Sequence, residues 1–133
     1  MELNKKKDYK RSIKRGDIYY AKLLGFGNQQ TGIRPVLIYS NNTNNVFSPT
    51  VNVMPITAEL KELCVHVNVK GCGLKSESMI LVEQITTINK TQIKNRIGRL
   101  TSEYMDLVDI AADIQFGRKS NKFIEINAEE VFG

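Results

Sequence analysis

Hydrophobic and polar positions alternate in short stretches over the first hundred residues of this chain, and the period then changes once. Residues 17–23 alternate loosely and are rich in tyrosine, as a half-buried strand is. Residues 35–40 form an apolar run of buried-strand length, 50–56 a third strand, 65–69 a fourth, 78–88 a long fifth and 93–100 a short sixth. Between the first two strands, residues 24–32 hold three glycines and are more than a hairpin needs, which is a sign of function. Residues 41–45 read as an asparagine-rich turn. At Thr101-Ser102-Glu103 a hydroxyl cap and an acid in the first turn predict a helix over 103–116, with Gly117 to stop it. Leu107, Ile110, Ala111 and Ile114 fall on its sheet-facing side, while Asp106, Asp109 and Asp113 form a stripe expected to face solvent. The expected fold is mainly β, a small and strongly bent antiparallel sheet with one C-terminal helix lying on it.

At 133 residues the chain is long enough for one domain with its own core. It has no apolar run of membrane-spanning length and no signal-peptide pattern, so a cytoplasmic protein without a membrane partner is expected. The net charge of +5 is uneven: residues 1–15 carry seven cations against Glu2 and Asp8, which leaves five and makes the remainder neutral. Residues 1–12 are therefore a basic arm, either holding nucleic-acid phosphates or serving as a solvated tail. Residues 13–117 make the domain, and residues 118–133 are a C-terminal extension of unassigned role. Cys64, His66 and Cys72 provide three ligands without the paired spacing of structural zinc, so no metal and no cofactor is expected. Cys64 and His66 share a strand face, where packing explains them.

The candidate chemistry lies where loops meet strands. In Gly32-Ile33-Arg34-Pro35-Val36-Leu37-Ile38, Pro35 biases Arg34 towards extended backbone and holds its guanidinium at the start of a strand. In Phe47-Ser48-Pro49-Thr50, Pro49 acts likewise on Ser48 and leaves Thr50 to open the next strand. Adjacent strands are expected to place Arg34 and Thr50 on one sheet edge facing one ligand. A guanidinium fork with a hydroxyl beside it suits a phosphodiester. The loop amides Asn28, Gln29 and Gln30 can hydrogen-bond base edges, and Phe26 either stacks on a base or anchors the loop.

With Lys14-Arg15-Gly16-Asp17-Ile18-Tyr19-Tyr20-Ala21 upstream, and Pro55-Ile56-Thr57 and Ile80-Leu81-Val82-Glu83-Gln84-Ile85-Thr86-Thr87-Ile88 downstream, the ordered set resembles the MazF/PemK family of toxin endoribonucleases. The resemblance covers roughly residues 13–117. It implies an SH3-like small barrel forming a homodimer, an antitoxin partner, and metal-independent cleavage of single-stranded RNA by attack of a ribose 2′-OH. Arg34 and Thr50 would stabilise the charge on the phosphorane. Glu83 and Gln84 match positions that contact RNA, and Ser48 and Thr86 are further RNA-binding candidates. The proton transfers stay open: Arg34 perturbed by its site, Glu83 assisting, or a modest rate. Thr86 stands where many members have a basic residue, and Gln30-Thr31-Gly32 replaces a paired glycine, which leaves a non-cutting RNA- or protein-binding relative as the alternative. A gyrase-poisoning toxin of similar fold relies on a C-terminal tryptophan, and this chain has none.

Overall fold

The computed structural model describes residues 13–60, 63 and 65–118; the basic arm 1–12, Cys64 and residues 119–133 lie outside them. The elements run β1 (Asp17–Leu24), β2 (Thr31–Ile38), α1 (Asn42–Phe47), β3 (Thr50–Thr57), β4 (His66–Val69), β5 (Ser78–Leu81), β6 (Thr86–Asn89), β7 (Ile93–Arg99) and α2 (Ser102–Gln115). The seven strands form one antiparallel sheet in the order β4-β5-β3-β2-β1-β7, with β6 also paired to β3.

The period of two divides the core. Ile18, Leu37, Met54, Ile56, Val67 and Ile80 pack on the α2 side, whereas Tyr19, Ala21, Val36, Ile38, Val53 and Ile88 pack in a second cluster on the opposite face. The sheet is bent but not closed: among the described residues no ladder joins β4 to β7. The turn after β4 meets β7 instead. A Cβ on Gly98 would strike the Cys72 carbonyl and one on Gly73 would strike that of Ile97, so these backbones lie in direct contact. Gly71, Cys72 and Gly73 all have positive φ, the tight path that makes this approach possible.

Three elements differ from the sequence expectation. Residues 78–88 are not one strand. Ile56 pairs with Ile80 and Val53 with Thr86, so six residues advance on this strand against three on β3. The surplus is taken up by a 3-10 turn, Val82–Gln84, closed by Ile85 N–H to Val82 O at 3.2 Å. In an unbroken strand Glu83 and Gln84 would point to opposite faces; the turn brings both to one cleft.

The asparagine-rich turn is the short helix α1. Asn41 caps it by accepting from Asn44 N–H at 2.8 Å, and the fully buried Asn45 bonds Ser40 through backbone and side chain.

Helix α2 is rotated relative to the expectation. It buries Val108, Ala111 and Ala112, with Tyr104, Met105 and Ile114 against the core, and leaves Leu107 and Ile110 about half exposed. Asp109 of the expected stripe is about half exposed but is also paired. It accepts from Arg15 Nη2 and from the Tyr39 hydroxyl, both at 2.6 Å, and the Arg15 guanidinium lies 4.3 Å from the centre of the Tyr39 ring. Burial, reinforced by the bond to Asp109, raises the Tyr39 pKa above its ordinary value, so the hydroxyl stays protonated as a donor.

Candidate functional site

The sheet does not bring Arg34 and Thr50 together. β2 and β3 pair as Val36↔Pro55, Leu37↔Met54 and Ile38↔Val53. The β2–β3 ladder ends at Val36↔Pro55; the same register continued by two residues would set Arg34 opposite Thr57, on the face shared by Val36 and Val53. Thr50 lies at the opposite end of β3, about 23 Å away at ordinary strand rise, and its odd separation from Thr57 puts it on the other face. Its hydrogen bonds serve local structure. Its N–H and hydroxyl each meet Ser48 Oγ at 3.1 Å, and its carbonyl accepts from Asn44 Nδ2 at 3.1 Å. Ser48 is likewise part of the α1–β3 junction.

Arg34 is exposed at the start of β2, where its Nε donates to Thr31 O at 3.0 Å. Among the described residues no acid pairs with it. Asp17, the acid with which a structural arginine here would pair, is taken by Arg99 at 2.9 Å and Arg96 at 3.4 Å. The terminal nitrogens of Arg34 therefore remain for a ligand. Thr57 is half-buried and accepts from Glu59 N–H at 3.1 Å, which leaves its hydroxyl hydrogen to donate.

Thr57 opens on a cleft of about 340 Å³ lined also by Asn28, Gln30, His66, Glu83 and Gln84. Gln84 latches the β1–β2 loop over this cleft. Its Oε1 accepts from Gln30 N–H at 2.8 Å and its Nε2 donates to Asn28 O at 3.3 Å. Gln29 folds back within the loop, its Oε1 accepting from Phe26 N–H at 2.8 Å. Phe26 is 85% exposed, so it is not an anchor tucked into the body. Thr86 is exposed and lines a neighbouring hollow of about 170 Å³ with Gln29, Gln30 and Gln92.

Sequence reasoning missed two contributions. Thr57 was visible only as part of Pro55-Ile56-Thr57, although its odd spacing from Thr50 already separates their faces. His66, explained by packing from the sequence, points Nε2 at both Glu83 oxygens, 2.9 and 3.0 Å away. No sequence signal joins residues 66 and 83; the β4–β5 pairing His66↔Leu81 does. Among the described residues no group of three or more His, Cys, Asp or Glu is placed to hold a metal ion.

Residues 14–116 match a family model described as "PemK-like, MazF-like toxin of type II toxin-antitoxin system". The chain is similar to "Endoribonuclease EndoA" of Bacillus subtilis (strain 168), 44% identical over 107 residues that cover 77% of this chain and 92% of that protein. It is 39% identical over 110 residues to "Endoribonuclease MazF" of Staphylococcus saprophyticus, covering 79% and 92%. A solved structure described as "Endoribonuclease in complex with its cognate antitoxin from Mycobacterial species" superposes with a TM-score of 0.64 at 24% identity, over 79% of this chain and 93% of that one, a likeness of fold.

Proposed function

Because the chain belongs to the PemK-like, MazF-like toxins of type II toxin–antitoxin systems, we propose that it is an endoribonuclease that cuts single-stranded RNA and so stops translation and growth. The observation that carries this reading is an exposed guanidinium without an acid partner among the described residues, on the strand whose register, continued past Val36↔Pro55, leads to Thr57 on the wall of a cleft. Attack of a ribose 2′-oxygen on the adjacent phosphorus breaks the bond to the 5′-oxygen of the next nucleotide and leaves a 2′,3′-cyclic phosphate and a 5′-hydroxyl. Charge builds on the non-bridging oxygens along the way. Arg34 meets that charge with its free terminal N–H groups, and Thr57 adds a neutral donor beside it. Only RNA has the attacking hydroxyl, so DNA is left intact. Neither Arg34 nor Thr57 is an ordinary base; Glu83 is an acceptor that lines the cleft with Thr57.

The loop amides of residues 28–30, Gln84 and Thr86 border the RNA path, with Gln84 acting through the loop it latches. The reaction needs no metal. Its partners are RNA, a second copy of the chain and a cognate antitoxin, the last supported by the antitoxin complex of a protein of this fold. Among the described residues no helix is long and apolar enough to cross a membrane, and the protein acts in the cytoplasm.

The test is incubation of the purified full chain with a long single-stranded RNA in EDTA, beside Arg34→Ala and Thr57→Ala. Discrete fragments with 5′-hydroxyl ends from the wild type, and their loss in Arg34→Ala, are expected. RNA left intact by the wild type sinks the endonuclease reading.

A further inference from the structure

A further hollow, of about 300 Å³, lies between α2 and β4. Its walls are mostly apolar: Leu107, Ile110, Ala111 and Ile114 of α2, and Val67 of β4 beside His66. Leu107 is 50% and Ile110 47% exposed, so the helix turns two large apolar side chains outward along this groove. Covering them would be favourable, because apolar surface removed from water stabilises whatever removes it.

The end of α2 shows which segment is aimed there. Arg118 N–H donates to Asp113 O at 2.9 Å and Gly117 N–H to Ile114 O at 3.2 Å, with Gly117 at a φ of 63°. These two bonds make a Schellman turn, which doubles the chain back instead of letting it run on along the helix axis. Arg118 Nε is held 3.7 Å from Asp113 Oδ1 across the same turn. The sequence that follows is Lys119-Ser120-Asn121-Lys122 and then Phe123-Ile124-Glu125-Ile126. Measured back along the helix from Arg118, Leu107 is about 16 Å away at the ordinary rise. The extended chain from 118 to 123 spans about 16 Å as well. The polar spacer therefore brings Phe123 to Leu107 at full stretch, and to Ile110 with slack.

We propose that the C-terminal extension folds back on its own chain and docks Phe123, Ile124 and Ile126 in the groove between α2 and β4. The segment suits a place beside β4, the end strand of the sheet, because it is β-branched and aromatic. Lys119 and Lys122 of the spacer pass a helix that carries Asp106, Asp109 and Asp113, charges of the opposite sign. His66 lines both this groove and the cleft of about 340 Å³, so the docked segment braces a wall that the two share. The docking gives a task to residues beyond the matched stretch 14–116 and does not depend on RNA cleavage.

The test replaces Leu107 by the photo-cross-linker benzoylphenylalanine in the full chain, and refolds together copies grown on light and on heavy nitrogen. Irradiation is expected to join position 107 to residues 122–126, with both peptides of every pair carrying the same isotope. Pairs of mixed isotope overturn the proposal, since the groove is then filled by another copy's extension. Cross-links from position 107 to residues 13–118 of another copy overturn it too, making the groove an interface between copies. No cross-link to residues 119–133 also overturns it and leaves the groove to a different partner. A second measurement keeps the groove native: Phe123→Ser/Ile126→Ser is expected to melt about 3 °C or more below the wild type. Equal melting temperatures overturn the docking. Neither readout uses RNA, so a failure of the endonuclease reading shows separately, as RNA left uncut.

Discussion

The two ends of β3 carry the same kinds of side chain and put them to opposite uses. At the Thr50 end, a threonine, two serines and three asparagines bond to one another and to backbone: Asn41 caps α1, Asn45 is buried on Ser40, and Ser48 and Asn44 hold Thr50. At the Thr57 end, Arg34 keeps its terminal nitrogens free, Thr57 keeps a hydrogen and Glu83 keeps lone pairs. Residue type alone does not mark a site. What marks it is polar capacity left over after the fold has taken its share, because buried polar groups are otherwise paired.

That contrast can be broken most severely at Arg34. Replacement by alanine is expected to reduce kcat/KM for RNA by about 10²–10³, as for other preorganised donors to a developing oxyanion, with the melting temperature unchanged because no acid loses a partner. Matched threonine variants sharpen it: in single-turnover assays Thr57→Ala should slow cleavage by about tenfold or more, a loss near the upper end for one hydrogen bond. Thr50→Ala should leave the rate within about twofold and alter only stability. At the structural end, Asn45→Ala should cost about 2 kcal/mol in urea unfolding, because it strands the Ser40 groups in the interior. The smallest effect is expected at Tyr39, which adjoins the same end through its N–H to Asn52 O. Tyr39→Phe removes the donor to Asp109 and should cost about 1 kcal/mol at neutral pH. The folded-state pKa of Tyr39 is raised, so its neutral form is favoured by folding. The wild type should therefore lose that increment as pH climbs above about 10, while Tyr39→Phe stays flat there.

The strands were legible because their alternation is local, and the helix because its cap is. The break at Val82–Gln84 was not: Val82-Glu83-Gln84-Ile85 contains no glycine or proline, and only the shared partner β3 shows three surplus residues. The rotation of α2 goes with contacts from far away in sequence: its Val108, Ala111 and Ala112 enter the core, and Arg15 and Tyr39 reach Asp109. Arg34 stood out because Pro35 fixes the local backbone, yet its companion is set by strand register, which acts across the sheet. The pairing with Thr50 fails for that reason. Its odd separation from Thr57 was nonetheless present in the sequence, and a strand with period two turns that oddness into opposite faces.

The contact of Gly73 and Gly98 with their opposing carbonyls joins two edges of the sheet without a ladder. A seam of this kind can part without breaking a ladder bond, so it is the natural line along which the sheet breathes. Amide hydrogens on the outer side of β7 should exchange faster than those it shares with β1, and a methyl group introduced at Gly98 would act as a wedge driven into the seam.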